Sequence, residues 1–195
     1  MPLLSKINYW LLVTLTFLIP LFFLPITANF YAFNKNFLLF LATILLLAVW
    51  LAKIASQRKV SLIKTPFDLP VVFLALAFIL ATVFASPNKV EAFLLPGEAG
   101  TILALALLYF VITQTKIRPS SLRTSFLTSA TALAIVAIYQ FVGLGEILGA
   151  KGGFTWLKSK LWTPIGSPLA LISFLFIILP LAFLEFKKMI KANLL

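Results

Sequence analysis

The chain of 195 residues contains no cysteine and no histidine, and its Asp and Glu together number only 5. Without a thiol or an imidazole it excludes a zinc site, a disulfide framework and Ser-His or Cys-His catalysis of its own. No cofactor and no metal is therefore expected. The few acids never pair at a catalytic spacing, and none stands in the middle of an apolar run. That argues against a proton relay built on an intramembrane carboxylate. Charge of either sign is scarce. Only 11% of the residues are charged and 62% are hydrophobic, against about 25% and 45–50% in an average soluble domain. A soluble fold of this length needs a polar skin that this composition cannot supply. The apolar runs are also too continuous for the alternating strands of a membrane barrel.

What the chain has instead is long uncharged stretches. Cutting the sequence at its charged residues leaves six of them: Ile7–Asn34, Asn36–Ala52, Leu69–Asn88, Ala99–Thr115, Thr124–Gly145 and Leu161–Leu184. A spanning helix needs about 17–25 residues, and each stretch is long enough. Helices alone keep the backbone paired in lipid without closing a barrel. The expectation is an all-α, polytopic transmembrane helix bundle of six spanning helices. The spans fall at about 9–26, 37–53, 68–85, 98–115, 122–141 and 168–186, in a single membrane domain covering 1–195. The first run is longer than a signal-peptide core of about 7–15 residues. Ile26-Thr27-Ala28 is a poor cleavage site, so that run is read as a retained helix.

The basic residues give the orientation. With the N-terminus inside, the cytoplasmic segments hold Lys6, Lys53, Arg58, Lys59, Lys64, Lys116, Arg118, Arg123, Lys187, Lys188 and Lys191. The outer loops hold Lys35, Lys89, Lys151, Lys158 and Lys160. Positive charge is retained on the cytoplasmic side, which favours N-in/C-in. The net charge of +11 is thereby explained topologically, and no nucleic-acid partner is expected.

Local signals agree with these cuts. Thr65-Pro66-Phe67-Asp68 reads as an N-cap, a Pro at the first helical position and an acid in the first turn. Ser167-Pro168 repeats the cap-plus-Pro pattern before the sixth span. Ser86-Pro87-Asn88 is a stop, and Leu94-Leu95-Pro96-Gly97-Glu98 a tight turn. Pro20 and Pro180 lie inside apolar runs and are expected to kink them. The mild polar residues Thr43, Thr82, Thr101, Gln114, Thr128, Ser129, Thr131, Gln140 and Ser173 are expected to hydrogen-bond between helices.

The outer loop 142–167 carries the most chemistry. Gly143, Gly145, Gly149, Gly152 and Gly153 open it. Phe154, Leu157 and Leu161 then share a helical face with Lys158 and Lys160 beside it, as in a helix lying in the membrane interface. Gly166-Ser167-Pro168 opens the sixth helix, whose N-terminal N–H groups favour an anion. Lys158, Lys160, Gly166, Ser167 and the nearby Gln140 are the candidate substrate-binding residues. A phosphate or pyrophosphate is the ligand that this charge suits. No catalytic residue is identified. Gly143-Leu144-Gly145 follows a membrane helix rather than a strand and lacks a third Gly, so it is no nucleotide loop.

Four motifs in order carry a resemblance. They are Phe17-Leu18-Ile19-Pro20-Leu21-Phe22-Phe23, Thr65-Pro66-Phe67-Asp68-Leu69-Pro70, Ala81-Thr82-Val83-Phe84-Ala85-Ser86-Pro87, and Trp162-Thr163-Pro164-Ile165-Gly166-Ser167-Pro168-Leu169-Ala170 before an apolar run ending Leu179-Pro180-Leu181. Together they make the chain resemble the N-terminal half of the O-antigen ligase/polymerase superfamily of bacterial envelope proteins. The resemblance implies a glycosyl transferase of the cytoplasmic (inner) membrane. Such a protein moves a lipid-linked glycan from a polyprenyl pyrophosphate carrier at the outer face. The family has roughly twice as many spans, and a later loop carrying an essential His and Arg. This sequence has no His, so a missing C-terminal half or a partner chain is expected to complete the activity. The family's Gly-Asn-Pro-Asn turn is here Gly166-Ser167-Pro168-Leu169, so its Asn side-chain roles do not carry over. Two other readings fit six spans: a substrate-binding subunit of a vitamin-type transporter, and a non-catalytic membrane assembly protein.

Overall fold

The computed structural model describes residues 2–25, 31–57, 63–115, 117–145, 147, 157 and 159–193. Among them every regular element is helical. The elements are α1 (Pro2–Leu21), α2 (Ala32–Gln57), α3 (Asp68–Phe84), α4 (Glu91–Leu94), α5 (Ala99–Gln114), α6 (Pro119–Phe141) and α7 (Pro168–Asn193). Five stretches are long and apolar enough to cross a membrane: Leu3–Leu21, Ala32–Gln57, Glu91–Gln114, Pro119–Phe141 and Pro168–Lys187. Helix α3 is equally apolar but has only 17 residues. The chain is a multi-pass helical membrane protein.

Helix ends follow the local chemistry. Pro168 begins α7, and the Ser167 hydroxyl accepts the Ala170 N–H at 3.1 Å, the N-cap bond read from the sequence. α3 stops at Phe84, ahead of Pro87. At its start the chemistry differs from expectation. α3 begins at Asp68, with Phe67 at the cap and no side-chain cap bond. Pro66 and Phe67 form a turn, and the Asp68 carboxylate reaches back to accept the Thr65 N–H (2.8 Å) and Thr65 hydroxyl (2.7 Å). This is the return half of a capping box. α1 starts at Pro2 rather than near residue 9 and ends at Leu21. Lys6 thus lies within the helix, where a long stem can carry the charge to the interface. Pro20 stands one residue from the helix end, a position that leaves little helix to kink.

The chain divides into two compact units. The first comprises Met1–Leu15 and Lys35–Arg118. In it α5 packs against both α3 and α4. Small residues make the close approach possible: Ala99, Gly100, Ala104 and Ala106 of α5 are buried. A Cβ on Gly100 would lie 2.3 Å from the Phe93 carbonyl oxygen of α4 and 3.1 Å from Phe40 Cζ of α2. Polar bonds tie the helix ends. Thr101 Oγ1 donates to Asn36 Oδ1 (2.8 Å), Asn36 Nδ2 donates to the Leu94 carbonyl (3.4 Å), and Gly97 N–H donates to Thr101 Oγ1 (3.0 Å). Gly97 takes φ +90° to make this turn, a conformation that suits Gly.

The second unit comprises Thr16–Asn34 and Pro119–Leu195. Here α6 packs against α7, and α6 buries Ser125, Ser129, Ala130 and Leu133. At one end of the pair Arg123 and Glu185 form an ion pair. The outward side of α7 is bare oil: Leu169, Phe176 and Ile177 are each at least 70% exposed, as a lipid-facing helix requires. Most polar side chains of the spans do not bridge helices. Thr82, Thr128, Ser129 and Thr131 donate to carbonyls three or four residues back in their own helix, the local competition open to short hydroxyl side chains. Thr101 does bridge helices, and Gln114 bonds the backbone of Ile63 in both directions (2.8 and 3.0 Å).

Candidate functional site

Of the five candidate residues, four lie among the described residues. Lys158 lies outside them, as do Lys151, Phe154, Trp156 and three of the opening glycines, Gly149, Gly152 and Gly153. The amphipathic interfacial helix read over this stretch therefore falls outside the described residues too. Leu157 sits in a short helical turn, and Ser159–Trp162 forms another, closed by Trp162 N–H to the Ser159 carbonyl (3.1 Å).

Gln140 organises this region. It stands at the end of α6 and is 2% exposed. Its Nε2 donates to the carbonyls of Leu157 (3.4 Å) and Ser159 (3.1 Å). Those carbonyls flank position 158 and precede Lys160. The chain leaves α6 at Gly143, with φ +85° and its N–H on the Gln140 carbonyl (2.9 Å). The side chain of Gln140 then occupies the space where Gly145 would carry a Cβ. Lys160 is exposed, and its Cε is 4.0 Å from the point where Gly143 would carry a Cβ. The structure thus brings Gln140 and Lys160 to one end of α6.

Gly166 and Ser167 belong to the turn before α7. Gly166 takes φ +117°, and a side chain there would press on the Tyr31 ring, 3.2 Å away. Trp162 is buried edge-on against Phe23, with centroids 5.0 Å apart. Thr163 beside it is also buried, and its hydroxyl has no hydrogen-bond partner among the described residues. The anion-binding capacity of the α7 N-terminus is smaller than the sequence implies. Pro168 has no N–H. Those of Ala170 and Leu171 are taken by the side chain and carbonyl of Ser167. At most the Leu169 N–H is left for a ligand.

Two features of the first unit were not legible as sites. Tyr109 of α5 donates to Asp68 Oδ1 (3.0 Å) and also touches Thr65 Oγ1. The only sequence signal was a phenol inside an apolar run. An apolar groove of about 340 Å³ lies between α2, α4 and α5, lined by Phe40, Thr43, Phe93, Leu103 and Leu107 among others. Among the described residues no group of three or more metal-ligating side chains occurs.

No family model, curated protein or solved structure matches the chain.

Proposed function

We propose that this chain is a six-span, N-in/C-in protein of the cytoplasmic membrane. In this reading it forms the N-terminal part of an O-antigen ligase-like glycosyl transferase. The span count is supported by parity. Lys6 and Arg118 line one pocket and so share one side of the membrane. An even number of crossings must separate them. α1, α2 and α5 supply three, and α3 supplies the fourth. Two other contacts fit the same count. Asn36 meets Thr101 at the starts of α2 and α5, and Ile63 meets Gln114 before α3 and after α5. Each pair is accommodated when α3 crosses. A helix of 17 residues meets the lower limit of about 17 for doing so.

In this reading the cation count puts residues 142–167 on the outer face. The observation that carries the site is the buried carboxamide of Gln140, which holds the Lys160-bearing turn against the end of α6. Lys158 and Lys160 offer positive charge to the pyrophosphate of a lipid carrier. As the bond from sugar to pyrophosphate breaks, negative charge gathers on the leaving group, and fixed cations stabilise it. The acceptor hydroxyl and the group that takes its proton lie with the C-terminal half or a partner chain. Replacing Lys158 and Lys160 together by Ala in the complete, active protein is expected to abolish or strongly reduce glycan transfer. Unchanged transfer removes them from the site. Thiol labelling of cysteines introduced at 150–166 tests the side directly, and a cytosolic result ends the glycan-transfer reading.

A further inference from the structure

A basic concavity lies in the first unit. It has a volume of about 440 Å³ and is lined by Ser5, Lys6, Tyr9 and Trp10 of α1 and by Arg118 from the connection ahead of α6. Ser5 and Tyr9 are four residues apart, as are Lys6 and Trp10, so the helix presents them as two adjacent columns. Arg118 closes the pocket from a different part of the chain. Two cations and two hydroxyls therefore meet over one hollow, with no acid in its lining. Lys6 and Arg118 are both exposed, so their charges are available to a ligand.

We infer that this pocket binds the phosphodiester headgroup of an anionic membrane lipid. Guanidinium offers a planar fork to phosphate oxygens and ammonium a point charge, and the hydroxyl of Ser5 extends the set of donors. Trp10 is 63% exposed and marks the level of the membrane interface, where indole rings collect. A basic pocket at the end of transmembrane helices is a general solution for holding an anionic headgroup. The acyl chains would run down the lipid-facing side of α1. A soluble phosphate shares the headgroup chemistry but gains nothing from that apolar surface, so the lipid is the favoured source. The inference goes beyond the glycan-transfer reading and does not rest on it.

The test uses the full chain purified in detergent and observed by native mass spectrometry. Phosphatidylglycerol, phosphatidylcholine and inorganic phosphate are added separately. The wild type is expected to retain one phosphatidylglycerol in preference to phosphatidylcholine. The double variant Lys6→Gln/Arg118→Gln is expected to bind it about thirty-fold more weakly, since each cation near a charged surface contributes about 1 kcal/mol. Charge-keeping Lys6→Arg/Arg118→Lys retains most of the binding, and Lys53→Gln/Lys187→Gln retains all of it. Circular dichroism checks that each variant is folded. If the double glutamine variant does not fold, the single variants Lys6→Gln and Arg118→Gln replace it, each with a smaller loss. Equal retention by wild type and the glutamine variants overturns the inference. So does equal retention of phosphatidylcholine, or displacement of the lipid by millimolar inorganic phosphate.

Discussion

Gln140 occupies the space that a side chain at position 145 would need. A Cβ built on Gly145 would stand 1.4 Å from Gln140 Oε1. The carboxamide is in turn committed, since its Nε2 holds the carbonyls of Leu157 and Ser159. Gly145→Ala therefore cannot be absorbed by a small rotation without breaking those bonds. Overpacking of this kind costs about 1–3 kcal/mol, and a lost buried hydrogen bond adds to it. Gly145→Ala is expected to lower the midpoint of unfolding in detergent. It is also expected to raise proteolysis between 142 and 160. Gln140→Ala in the same background should relieve the clash, so that the double variant is no worse than Gln140→Ala alone. A double variant clearly below both single variants refutes the steric account.

Thr43 makes the opposite case. It is 2% exposed, and its hydroxyl has no hydrogen-bond partner among the described residues. It faces the apolar groove between α2, α4 and α5. An unsatisfied buried hydroxyl costs about 1–3 kcal/mol, and Val has nearly the same shape. Thr43→Val is expected to raise stability by about 1 kcal/mol, read from the unfolding midpoint in a denaturing-detergent titration. A loss of similar size means that the hydroxyl has a partner in the folded protein.

These two residues mark the boundary of what the sequence discloses. The apolar stretches, the Ser167-Pro168 start, the stop before Pro87 and the turn at Gly97 were legible because each depends on a local property. Composition, φ restriction and capping act over a few residues. The partners of Gln140 were not legible, since Leu157 and Ser159 lie across a loop that reads only as flexible and basic. Nor was the destination of the Ser and Thr hydroxyls. Thr82 and Thr131 turn back to their own helices while Thr101 crosses to Asn36, and only packing decides between these. Cutting the chain at charges also concealed how charges at span ends pair. Arg123 and Glu185 served there as boundaries, although the fold makes them partners.

Asp68 joins two helices of the first unit through its carboxylate. It accepts from Thr65 and, 41 residues away, from the Tyr109 hydroxyl. Asp68→Ala removes every one of these bonds, so it is expected to loosen the packing of α3 on α5 and lower Tm. Tyr109→Phe removes a single donor and should lower Tm less. Because the Tyr109 hydroxyl bonds this carboxylate, Tyr109→Phe should cost less once Asp68 is Ala, the contact with Thr65 Oγ1 being all that it still removes. Thermal unfolding of the four proteins checks the cycle. Fully additive losses refute the coupling of Tyr109 to the Asp68 carboxylate.

Arg123 and Glu185 link the first turns of α6 to the second half of α7. The pair is partly shielded, with side chains 25% and 30% exposed. Its energy should therefore fall between the roughly 0–1 kcal/mol of open surface pairs and the about 3–5 kcal/mol lost when one partner of a buried pair is removed. Arg123→Gln or Glu185→Gln alone is expected to cost roughly 1–3 kcal/mol in the unfolding equilibrium. The charge swap Arg123→Glu/Glu185→Arg restores attraction at the same place and should recover much of the loss. It also leaves the net charge of the pair unchanged. A swap as unstable as Arg123→Glu alone shows that the guanidinium is held by more than the one carboxylate.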